Sequence, residues 1–75
     1  MLTPEMYAAM TGSVLQHAQK HIEEAFALCE KIADGEGDLV ERLRDADALV
    51  MEIKVIRDDM KRALLYLNVE NALEE

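Results

Sequence analysis

The sequence predicts an all-α fold: an antiparallel hairpin of two long helices that assembles into a four-helix bundle or a larger helical oligomer. Three observations carry this reading. From Leu39 to Asn71 the positions Leu39, Leu43, Ala46, Val50, Ile53, Arg57, Met60, Leu64, Leu67 and Asn71 recur in alternating steps of four and three, the spacing of a helix seam. From Tyr7 to Ile32 the same period returns in Tyr7, Thr11, Val14, Ala18, His21, Ala25, Leu28 and Ile32, with Leu15, Ile22, Phe26 and Cys29 widening the face. Between the two halves lies a single linker, Ala33-Asp34-Gly35-Glu36-Gly37-Asp38. The spacing thus predicts helix 1 over about 4–33, a loop over 34–38 and helix 2 over about 39–72, all in one domain.

Helix 1 opens on a start signal. Thr3 suits the N-cap, Pro4 the first helical position, Glu5 the positive end of the dipole, and Leu2 is placed to staple against Tyr7. Thr11-Gly12-Ser13 is the one blemish, since Gly12 costs about 1 kcal/mol relative to Ala in a helix interior. The seam keeps register across it, which predicts a continuous or gently kinked helix. In the linker, Gly35 fits the left-handed residue after a helix, and Asp38, backed by Glu41, fits the cap of the next.

So short a loop makes the helices antiparallel neighbours. The expected pairing sets Leu28 near Leu43, Ala25 near Ala46, Ala18 near Ile53 and Val14 near Arg57. A second row on helix 2, Met51, Val55, Leu65, Tyr66, Val69 and Leu73, faces away from its seam, and one partner helix cannot cover both. Met51, Val55, Arg57, Leu65, Tyr66 and Val69 are therefore the expected oligomer interface. The tail from Ala72 to Glu75 is expected to fray.

Composition narrows the function. At 75 residues a lone two-helix hairpin is marginal, and self-association is the simplest remedy. Sixteen acidic against eight basic residues leave a formal charge of −8, which opposes direct binding to nucleic acid or anionic lipid and favours a basic partner. No apolar run approaches the roughly 20 residues needed to span a bilayer. The single Cys29 and the absence of signal-peptide regions in Met-Leu-Thr-Pro-Glu point to a cytoplasmic setting, with Cys29 a small packed residue.

Four constellations are candidate sites. His17 and His21, four apart, share a helix face in the way of zinc-binding pairs, but two nitrogens do not complete a site, so His21 reads as a hydrogen-bonded interface residue and His17 as solvated. Asp34, Glu36, Asp38 and Asp45 fall at calcium-loop spacing, yet Leu39 occupies the position that needs Gly, and a solvated acidic turn with two helix caps explains every residue. Glu23 and Glu24 on helix 1, followed past a short loop by Asp47, resemble the outline of the all-α nucleoside-triphosphate pyrophosphohydrolases related to MazG, which implies magnesium held by convergent carboxylates. Ala27 and Arg44 stand where that family carries further Glu residues. Arg57 interrupts its seam, and a charge there must snorkel or pair, with Glu52 or Asp58 of another chain as candidates.

Seven acids lie between residues 30 and 47 against Lys31, Arg42 and Arg44, so half the net charge sits at the hairpin tip. Asp34, Glu36, Asp38, Glu41 and Asp45 are the expected partner-binding residues. No catalytic, cofactor-binding or metal-ligating residue is assigned, and the chain is not expected to be an enzyme. In architecture it resembles the Rop-type dimers of helical hairpins. The expectation is a small acidic interaction module or regulator that binds a partner protein as a homo-oligomer. The alternatives are an acidic nucleic-acid mimic, similar in type to phage-encoded inhibitors of host defence, and a degenerate MazG-like pyrophosphohydrolase.

Overall fold

The computed structural model describes residues 2–74. Two helices, α1 (Pro4–Ala33) and α2 (Leu39–Glu74), pack against each other as an antiparallel hairpin, and no strand occurs among the described residues. The hairpin measures 55 × 16 × 13 Å, a rod two helices thick.

The helix ends follow from local chemistry. Thr3 is extended and its Oγ1 accepts the Met6 N–H at 3.2 Å, with Pro4 in the first turn, where no backbone donor is needed. No break occurs at Gly12. The buried Thr11 hydroxyl donates to the Tyr7 carbonyl at 2.9 Å, so the polar group next to the glycine is satisfied within the helix. At the far end the N–H of Gly35 reaches the Ile32 carbonyl and that of Glu36 reaches the Lys31 carbonyl, the paired bonds of a Schellman stop. Gly35 supplies the positive φ of 69° that this stop requires. Gly37, at φ 80°, brings the chain under the Glu41 side chain, where any Cβ would collide. Asp38 then caps α2, its Oδ1 accepting the Glu41 N–H at 2.9 Å. α2 runs on to Glu74, past the expected end at Ala72, while Glu75 lies outside the described residues.

The packing agrees with expectation on α1 and departs from it on α2. On α1 the seam from Tyr7 to Ile32 is buried or half-buried at every expected position, with Ala18 0 % exposed. On α2 the row turned to α1 is Asp45, Leu49, Glu52, Ile56, Asp59, Ala63, Tyr66 and Glu70, also in steps of four and three but one residue behind the predicted seam. The predicted seam faces solvent, and of its members only Ala46 is half-buried. Ala18 therefore does not pair with Ile53, nor Val14 with Arg57. One residue of offset turns a helix by about 100°. The reason is chemical: the inner row carries three carboxylates for which α1 holds matching cations and imidazoles, and Ala18 and Ala63 let the backbones approach closely.

Candidate interaction surfaces

Along the inner row of α2, Asp45, Glu52, Asp59 and Tyr66 recur every seven residues, and each meets a side chain of α1. Nearest the tip, the Lys31 ammonium lies 3.3 Å from Oδ2 of Asp45, an oxygen otherwise buried without a hydrogen bond. Next, Nδ1 of His21 donates to Oε2 of Glu52. Then Nδ1 of His17 donates to Oδ2 of Asp59 at 2.6 Å. At the open end Tyr7 and Tyr66 meet with ring centroids 6.1 Å apart, tilted by 55°. An ionised carboxylate only accepts, so both histidines carry a proton on Nδ1. Asp59 is only 5 % exposed whereas His17 remains 56 % exposed, so the imidazole serves as the bridge between a buried acid and water.

This ladder fixes the hairpin register, and its one trace in the sequence is that three acids seven apart lie on one line of a helix. His21 is the interface histidine the sequence suggests. His17, expected to be solvated, is instead paired while keeping its outer edge wet. The two rings sit 4.7 Å apart. Among the described residues no group of three or more His, Cys, Asp or Glu is arranged to hold a metal ion.

The acidic tip divides by role. Asp38 is spent on its cap, and Asp45 on Lys31. Asp34 closes α1, and Asp34, Glu36 and Glu41 are exposed and make no ion pair among the described residues. Of the five expected partner-binding residues, those three are the available carboxylates. Glu23, Glu24 and Asp47 are exposed on the outer surfaces of their helices and do not converge with one another.

The six expected oligomer residues fall in different places. Val55, Tyr66 and Val69 are half-buried, whereas Met51, Leu65 and Arg57 are exposed. Arg57 reaches Asp58, its own neighbour in the chain, at 3.4 Å, and both side chains stay exposed.

Two lines of exposed apolar side chains run along the hairpin. Leu39 (68 % exposed), Leu43, Val50, Ile53, Met60, Leu64 and Leu67 form a line along α2. Leu15, Ile22, Phe26 (65 % exposed) and Cys29 form its counterpart on α1. Both lines sit one residue beyond the seam that joins the helices. In antiparallel helices that shared offset turns the two lines to the same side of the hairpin. The ladder register sets Leu15 level with Met60, Ile22 with Ile53 and Cys29 with Ala46, so the lines merge into one apolar side over that stretch, and the α2 line continues it toward Leu39 at one end and Leu67 at the other. No helix among the described residues is long and apolar enough to cross a membrane.

Compared with protein-family models, curated proteins and solved structures, the chain matches none.

Proposed function

We propose that this chain is a small, acidic, non-enzymatic interaction module that works in the cytoplasm as a homo-oligomer and binds a partner protein. The observation that carries the reading is the continuous apolar side of the hairpin. Contiguous apolar surface of this extent marks an interaction site. The carboxylates of the pyrophosphohydrolase resemblance, Glu23, Glu24 and Asp47, are exposed on their two helices and form no metal-holding group among the described residues.

The acidic tip is the surface we assign to the partner, through Asp34, Glu36 and Glu41 with Asp38 and Asp45 behind them. A basic partner would be drawn to it by long-range attraction that weakens as salt rises. A second reading, an acidic decoy that occupies a nucleic-acid-binding surface, draws on the same concentration of charge at the tip. Capture from native lysate, comparing the natural protein with Asp34→Asn, Glu36→Gln and Asp38→Asn combined, tests both. Asn caps a helix about as well as Asp, so the variant keeps its helicity. Retention of a protein partner that the variant loses and that salt displaces supports the tip as the binding surface. A nucleoprotein among the retained species favours the decoy. Capture unchanged by the three substitutions contradicts both.

A further inference from the structure

We infer that the apolar side of the hairpin seats a second copy of this chain, so that the working unit is a two-chain, four-helix bundle. This rests on the oligomer reading above and adds to it the face and the count.

The first ground is area. The chain exposes 5614 Å², whereas a compact monomer of its mass exposes about 4,650 Å². The excess, roughly 950 Å², is close to the ~800 Å² that each partner contributes to a stable protein interface. The radius of gyration agrees, at 16.8 Å against about 11 Å for a globular chain of this length. A second rod laid alongside the first covers that excess area and brings the radius of gyration closer to the globular value for the two-chain length.

The second ground is direction. Neighbours in a four-helix array lie at nearly right angles around each helix. The apolar line on each helix is turned from the seam between α1 and α2 by one residue, or about 100°. Each helix of the hairpin therefore already holds one neighbour and presents an apolar line where the next would sit.

The third ground is fit. The line on α2 keeps the four-three period over nearly nine turns, and Arg57 is its only charge. An occupant must be equally long, equally apolar and of the same period. A second copy meets all three conditions, and a two-fold axis presents the same surface on both sides. In that seat Leu64, Met60 and Ile53 become core, and the Cys29 thiol, exposed on the single hairpin, is covered.

The test combines mass and thiol chemistry on the full chain. Light scattering behind gel filtration at micromolar concentration is expected to give twice the 8.5 kDa of one chain. Cys29 is expected to react with a soluble disulfide reagent about tenfold or more slowly than in urea, and faster on dilution as dimers separate. Leu64→Ala, a truncation that leaves the inner ladder untouched, is expected to raise the dissociation constant at least tenfold while the hairpin stays helical by circular dichroism. Leu65→Asp, placed off this face, is expected to leave the mass unchanged. A single-chain mass at every concentration overturns the oligomer reading and this inference together. A two-chain mass with Cys29 as reactive as in urea, or one lost on Leu65→Asp but indifferent to Leu64→Ala, overturns the face alone. A mass of three or more chains overturns the count.

Discussion

The inner and outer faces of α2 invert the usual order of a soluble helix. The face turned to α1 carries Asp45, Glu52, Asp59 and Glu70 between its apolar residues, while the face turned to water carries Leu39, Leu43, Val50, Ile53, Met60, Leu64 and Leu67. The inner face is rich in direction and poor in driving force. Its ion pairs and hydrogen bonds each tolerate one register, but a buried pair adds little net stability once desolvation is set against attraction. Among the described residues only Ala18 of α1 and Ala63 of α2 are buried apolar residues. The outer face is the reverse, with abundant apolar area and almost no polar content to set direction. The hairpin thus takes its geometry from one face and, by our proposal, its stability from the other.

The largest effect is expected where the outer face is broken. Ile53→Asp with Leu64→Asp removes two core side chains per chain, each worth about 1.5–3 kcal/mol when buried. Thermal unfolding followed by circular dichroism is expected to show a loss on the order of 4 kcal/mol per chain. A melting curve close to that of the natural protein would mean that the inner face alone holds the fold.

On the inner face the effects are smaller and asymmetric. His17→Ala leaves the Asp59 carboxylate buried without its donor and is expected to cost about 1–2 kcal/mol, moderated because His17 is itself more than half exposed. Asp59→Leu, which removes the acid instead, is expected to be neutral or stabilising when both variants are compared with the natural protein by chemical denaturation. Equal losses from both substitutions would show that the pair contributes more than register.

The ladder also marks the limit of what sequence pattern shows. The seam of α1, the caps at Thr3 and Asp38 and the glycine stop at Gly35 were all legible, because each depends on residues within one or two turns. On α2 the four-three period was legible as well, but the row that faces α1 was not: of its eight members only Tyr66 belongs to either apolar row. Hydrophobic period ranks rows by apolar content, and by that measure the exposed row wins. The choice depends on complementarity across the hairpin, between Asp45, Glu52 and Asp59 on one helix and Lys31, His21 and His17 on the other, a relation that neither helix carries alone. The acidic tip was legible as charge, but the commitment of Asp45 to Lys31 depends on the same pairing.

The remaining expectations are local. Gly35→Ala places a Cβ on a residue at φ 69° and is expected to cost about 1 kcal/mol. Arg57→Met is expected to be neutral or slightly stabilising, since the pair with Asp58 is exposed on both sides and such pairs are worth about 0–1 kcal/mol. A loss of several kcal/mol for Arg57→Met would place that guanidinium in a network on the outer face and not in water.

The inversion of α2 is tested most directly by nuclear Overhauser contacts, recorded on a mixture of isotope-labelled and unlabelled chains so that contacts within one chain are separated from those between chains. Within one chain, contacts are expected between the rings of Tyr7 and Tyr66 and from the His21 ring to the methylenes of Glu52. Contacts within one chain from Ala18 to Ile53 and from Val14 to Arg57, with the Tyr7–Tyr66 contacts missing, would mean that the apolar row faces inward and would contradict the arrangement described here.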